Sequence, residues 1–306
     1  MTRVGDAGQA MLLRQQMLKI QDRSADTQRQ VSTGYKSADY AGLGAGTGPL
    51  LGAQSLLSRI DTQKSLAAEV KTRLDFTDTA LTNAANVTQD LRDQILKVLS
   101  TGNGASLMVQ TDGSFSQFTA AMNQQFDGQY LFAGGSDAAP VTAASLADVI
   151  ALPTAADAFN NGTLTSQASL EDGATFTYGA LADTVGTSMM TAIKNIAEFN
   201  AGPSGPFSAE LTPAQRTFLE GQLTVLSAAQ TEVQTAVSTN GIAQARLDDI
   251  GTRHDAQTVL LKSFIGDVQD ADMAEAIARL NQDQVALQAA YKMLGDLGQT
   301  SLLNFI

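Results

Sequence analysis

The residue types able to do chemistry are few in this chain, and their spacing does not suit it. His254 is the sole histidine, and no serine or cysteine nucleophile can be tied to it, so an acyl-transfer triad has no support. Its place on an apolar helical repeat predicts a packed core histidine. Asp267, Asp270 and Asp272 look like a cation loop. Their offsets miss the alternating ligand positions of an EF-hand, however, and no glycine stands at the sharp turn, so a solvated helix face or a helix junction fits better. Asp75 with Asp78, and Asp90 with Asp93, are i,i+3 neighbours on a helix and lack the cleft that paired-carboxylate hydrolysis needs. Gly42, Gly44, Gly46 and Gly48 have Thr47 where a dinucleotide fingerprint needs its third glycine, and no strand precedes them, so they predict a flexible linker. Cysteine is absent, which excludes disulfides, thiolate nucleophiles and cysteine-bound metals. The expectation is a protein without catalytic residues, cofactor or metal.

Charge narrows the partners. The net charge is -12, and most of it comes from residues 101–214, where Lys194 is the lone cation against ten acidic residues. Such a surface repels a phosphate backbone, and no basic cluster interleaved with aromatics offsets it, so nucleic-acid binding is not expected. No basic segment followed by an apolar one opens the chain, and no apolar run reaches the ~18 residues of a membrane span. Neither a cleaved signal nor membrane insertion is expected.

With chemistry set aside, the pattern of long helices carries the information. All six prolines fall between Pro49 and Pro213, which leaves both ends of the chain free to run as helix. Residues 56–100 hold a seven-residue apolar repeat whose columns include Ile60, Val70, Leu74, Leu81, Leu91 and Ile95. A matching repeat follows the middle region, with Leu226, Val233, Leu247, Ile250, Leu261 and Phe264. Seams this long predict two helices lying antiparallel along each other, with Asn240 and His254 as polar seam residues that fix register. Further helices are predicted at the two ends. One is marked by Leu13, Met17, Ile20 and Val31, the other by Ile277, Leu280, Leu287, Tyr291 and Leu294, with an apolar finish at Leu302, Leu303 and Phe305. Neither stripe can be buried by its own helix, so both are candidate assembly surfaces, expected to be largely disordered in the free monomer.

The middle is rich in glycine, threonine and alanine, with β-like runs at Tyr130–Phe132 and Thr175–Tyr178 and turn signals at Asn161-Gly162 and Asp172-Gly173. It predicts a small α/β or β-rich outer domain projecting from a helical stalk, with one further helix over 115–126. The organisation expected is an assembly helix and linker over 1–48, a heptad helix over 49–100 and a central region over 101–214 whose variable part is 136–214. A returning heptad helix over 215–270 and an assembly helix over 271–306 complete it. The fold class is mainly α.

These parts, in this order, resemble bacterial flagellins and the related family of flagellar hook-filament junction proteins. Ser32, Thr33, Gly34, Tyr35 and Lys36 resemble the turn that closes the first helix of that superfamily. Gly128, Tyr130, Leu131, Phe132 and Gly134, with Pro140 after them, resemble an element of the junction family, although Val141 stands where that pattern has phenylalanine. The last helix resembles one shared by both families, and its Ser301–Ile306 ending is similar to junction-family endings. The resemblance implies a flagellin-like fold and a secreted, extracellular subunit of the flagellum. It further implies type III export with a chaperone, and assembly as a ring of copies between the hook-side junction protein and flagellin. A filament subunit, or an appendage protein with a ligand-binding or enzymatic insert at 136–214, are the alternatives.

Overall fold

The structure, a computed structural model, describes residues 3–303, with side chains described for residues 11–296. In chain order the elements are α1 (Arg3–Thr33), α2 (Thr47–Thr101), α3 (Leu107–Met122), β1 (Gln125–Phe126) and β2 (Gln129–Tyr130). There follow α4 (Leu146–Ala151), β3 (Ser166–Glu171), β4 (Ala174–Tyr178), α5 (Ala182–Ala201), α6 (Pro213–Gln269) and α7 (Met273–Leu303). Short 3-10 helices lie at Ala41–Gly46 and Ala155–Ala158. The chain is predominantly helical, with a small strand content. It divides into two units, one of residues 1–60 with 255–306 and one of residues 61–254.

In the 61–254 unit, α2 and α6 run antiparallel. Contacts climb one helix as they descend the other: Arg216 donates to Leu99 O (2.9 Å), Gln230 to Gln89 (2.8 Å), Asn240 to Leu74 O (3.1 Å), and Lys71 to Asp248 (2.5 Å). Asp248 raises the Lys71 ammonium above its ordinary value, first by this hydrogen bond and then by charge. While Asp248 is ionised, the lysine's contribution is fully present below the ordinary lysine range and is lost as pH climbs through the raised value. Val70, Leu74, Leu81, Leu91, Ile95, Leu226, Val233, Leu247 and Ile250 are all buried.

The central region completes the enclosure of this seam. Phe115, Phe118 and Met122 of α3 and Met189, Ile193 and Ile196 of α5 share one core with Leu81, Leu91, Ile95, Leu226 and Val233. The β3–β4 hairpin lays Leu170 and Phe176 over Val70, Leu74, Leu247 and Ile250. Residues 136–214 carry α4, the β3–β4 hairpin and α5, and their apolar residues share these two cores with the long helices. Lys194, the lone cation of the region, is buried, with Nζ on Val149 O (3.2 Å), Ile150 O (3.1 Å), Leu152 O (2.8 Å) and Glu198 (2.7 Å). It satisfies the carbonyls at the end of α4 and favours the negative end of that helix.

The turns differ in part from the sequence reading. Asp172-Gly173 closes β3–β4, since Glu171 pairs with Ala174. The helix expected over 115–126 begins at Leu107 and stops at Met122, because Asp127 (φ 51°) and Gly128 (φ 74°) form a two-residue turn that draws Phe126 into β1. Positive φ at both central residues is the twist that an antiparallel hairpin favours. Asn161-Gly162 makes no hairpin. Gly162 instead packs backbone to backbone on Gly134, and a Cβ at Gly134 would stand 2.2 Å from Gly162 O.

That contact predicts opposite outcomes at two glycines. Gly134→Ala, with positive φ and no room, destabilises the fold by about 2 kcal/mol or more. Gly113→Ala, inside α3 with open space around it, stabilises by about 0.5–1 kcal/mol. Urea unfolding of the two variants checks both signs.

Candidate assembly face and helix junction

The residues singled out near the chain ends lie on α1 and α7, which pack together in the unit of residues 1–60 and 255–306. On α1 the inward positions are Leu13, Met17, Ile20, Ser24, Thr27 and Val31, alternating steps of four and three; on α7 they are Ala276, Leu280, Asp283, Leu287, Ala290 and Leu294. This is heptad spacing on both helices, antiparallel, as Arg23–Asp283 and Gln21–Tyr291 (2.8 Å) fix it.

The seam holds little core. Among the described side chains of the two helices, the buried ones are Ser24, Thr27, Ala276 and Asp283, each small or polar. The larger apolar members, Leu13, Met17, Ile20, Val31, Leu280, Leu287 and Leu294, are half-buried. Ile277 lies off the seam and is exposed, Tyr291 is exposed although its hydroxyl reaches Gln21 of α1, and Met11, Leu18, Val285 and Met293 are exposed as well. The side chains of Leu302, Leu303 and Phe305 lie outside the described residues. Of the remaining repeat positions in this unit, Ile60 is buried, Leu261 half-buried and Phe264 exposed.

Asp283 is the costly member. Its side chain is 1 % exposed, and a carboxylate taken out of water needs a partner. Arg23 supplies it, with Nε 3.0 Å from each carboxylate oxygen and a third bond from Nη2. Asp283 in turn raises the guanidinium pKa, by hydrogen bonding and then by charge. Sequence reasoning missed this pair. Carrying the four-three spacing of Leu280 and Leu287 through the residue between them would have placed an acid on the seam.

The Ser32–Lys36 motif ends α1 and joins it to the junction of α6 and α7. Gly34 (φ 78°) takes the left-handed conformation that terminates a helix, with its N–H on Gln30 O (2.8 Å). Gly34 O accepts from Ala271 N (2.7 Å), Tyr35 pairs with Asp270, and Lys36 N donates to Gln269 O (2.8 Å). The Lys36 ammonium donates to Asp267 O and to Val268 O (3.4 Å). Asp272 caps α7, accepting from Ala274 N (2.9 Å) and Glu275 N (3.1 Å). The three aspartates thus stand at a helix junction. The glycines from Gly42 to Gly48, read as a flexible linker, form a 3-10 helix and the first turn of α2, with Gly44 at φ 54°.

The second motif is structural too. Gly128 completes the hairpin turn, Tyr130 is half-buried, and Leu131 and Phe132 are buried. Phe132 O accepts from Ala182 N (3.2 Å), Ala133 O from Gly162 N (2.8 Å) and Gly134 O from Leu164 N (3.1 Å), so the motif ties the hairpin to the start of α5. His254 is buried, with Nε2 2.8 Å from Leu170 O; since a carbonyl only accepts, Nε2 carries the hydrogen. Among the described residues, no three His, Cys, Asp or Glu side chains gather as metal ligands, and no helix is long and apolar enough to cross a membrane.

Comparison with known proteins bears on both ends of the chain. Residues 6–137 match the model of the bacterial flagellin N-terminal helical region, and residues 223–306 match that of the C-terminal helical region. No curated protein matches the chain. Among solved structures, one from Vibrio parahaemolyticus assigned as a flagellar hook-associated protein aligns with a TM-score of 0.59 at 17% identity, over 73% of this chain and 97% of that one. FlgL of Bacillus cereus aligns with a TM-score of 0.56 at 15% identity, over 69% and 97%.

The buried carboxylate yields a prediction. Arg23→Leu strands Asp283, so hydrogen exchange accelerates across α1 and α7 and is partly restored by Arg23→Lys. Arg29→Ala, which breaks the exposed pair with Asp26, costs about 0.5 kcal/mol or less and leaves that exchange unchanged.

Proposed function

The chain belongs to the bacterial flagellin family, whose two helical regions account for residues 6–137 and 223–306, and from that premise we propose that it is a structural subunit joining the flagellar hook to the filament. The observation that carries the reading is the incomplete burial of α1 and α7. Their apolar seam residues are half-covered, and Met11, Leu18, Ile277, Val285 and Met293 are exposed beside them. Covering a large apolar side chain is worth about 1.5–3 kcal/mol, so neighbouring subunits that supply further helices stabilise this unit.

Charge favours the same surface. The unit holding α1 and α7 has ten Lys/Arg and eleven Asp/Glu, whereas the 61–254 unit has nine and twenty. Copies meet through the first without net repulsion, while the second keeps its acidic surface in solvent. The assembly interface assigned to Leu13, Met17, Ile20, Val31, Ile277, Leu280, Leu287, Tyr291 and Leu294 accordingly divides. Most of these residues, with Tyr291 through its bond to Gln21, hold α1 to α7, and Ile277 with the exposed methionines faces a neighbour.

The likeness in fold to structures described as a flagellar hook-associated protein and FlgL, together with the Gly128–Gly134 element, favours the junction over the filament. On this reading the subunit leaves the cell through the type III export apparatus with a chaperone. It forms a ring of copies on the hook-side junction protein, receives flagellin, and performs no chemical step.

Deleting the gene in the parent bacterium tests this. Bare hooks with flagellin shed into the medium are expected. Normal filaments would overturn the reading, and short or missing filaments without shed flagellin would assign the chain to the filament instead.

A further inference from the structure

The break between α6 and α7 is only partly explained by its own sequence. Asp272 caps α7, but no glycine or proline lies between Gly266 and Gly295, and nothing else in Asp267-Val268-Gln269-Asp270-Ala271-Asp272-Met273 stops a helix. The break after α1 is different, since Gly34 and Gly44 take positive φ there.

The hydrogen bonds show what interrupts the helix. Were α6 to continue, the amides of Ala271, Asp272 and Met273 would donate to the carbonyls of Asp267, Val268 and Gln269. In the structure all three carbonyls are taken by Lys36, the first two by its ammonium and the third by its backbone N–H. Ala271 N is diverted to Gly34 O, while Asp270 N still bonds Gly266 O and Ala276 N bonds Asp272 O, so helical pairing resumes on either side. No basic residue stands in the last turn of α6, and the Lys36 charge fills that place against the helix dipole.

We infer that Lys36 is a positioning residue that imposes the α6–α7 break from across the chain, and that residues 267–273 are a conditional hinge. With Lys36 docked the segment is broken and α7 lies against α1; with Lys36 withdrawn the segment closes into one continuous helix. Asp272 supports the broken state through its cap on Ala274 and Glu275, so the two states differ by a small set of exchangeable bonds. The inference concerns the single chain and holds whatever α7 docks against.

The test is backbone NMR of the full chain, reading the Cα shifts of Asp270, Ala271 and Asp272. The wild type gives non-helical shifts. Lys36→Met, which removes the ammonium, moves them toward helical values, and Lys36→Met with Asp272→Ala brings them fully into the helical range. Lys36→Arg, which keeps a cation over the carbonyls, stays near the wild type. Non-helical shifts in the double variant would overturn the inference by showing that the Lys36 ammonium does not impose the break. Random-coil shifts throughout α7 would overturn it as well, since α7 would then be lost rather than joined to α6.

Discussion

The apolar stripes of this chain are only partly covered where two helices pair, and what the partner helix leaves open must be covered from another side. The 61–254 unit meets that requirement internally. Leu74, Leu81, Leu91 and Ile95 of α2 and Leu226 and Val233 of α6 are sealed by α3, α5 and the β3–β4 hairpin. The unit containing α1 and α7 does not, since Leu13, Met17, Ile20, Leu280 and Leu287 stay half-exposed on a two-helix pair. The same repeat thus serves as core in one unit and as unfinished surface in the other, and the proposed assembly role rests on the second.

Polar residues on the seams set alignment at a cost in stability. Asn240 donates to Leu74 O across α2 and α6, His254 reaches Leu170 O on the hairpin, and Asp283 is held by Arg23 between α1 and α7. Each would be replaced by leucine if apolar contact were the sole concern, yet leucine at every position would permit slips by whole heptads. Ser24 and Thr27, opposite this stretch of α7, keep the seam narrow where the buried carboxylate sits.

Much of this was legible in the sequence because helical periodicity is local. The fold class, the long helices and the hairpin at Asp172-Gly173 follow from spacing and turn chemistry. The packing of 136–214 against the long helices did not, because it depends on which apolar residues meet across more than a hundred positions. The Asp127-Gly128 turn carried a readable signal that was passed over. Lys36 illustrates the limit most clearly. It belongs to a motif that was recognised, but its bonds to Asp267, Val268 and Gln269 span more than two hundred residues, and no spacing rule reaches that far.

The central claim is that the face formed by α1 and α7 is open in the monomer and covered in the flagellum, and oxidative footprinting of methionine tests it most directly. Met11 and Met293 are exposed, 69% and 55%, whereas Met122 and Met190 are fully buried and serve as internal controls. The account predicts rapid sulfoxide formation at Met11 and Met293 in the purified chain and strong protection of both in isolated hook-filament preparations, with Met122 and Met190 protected throughout. Equal oxidation of Met11 and Met293 in the two samples would contradict it.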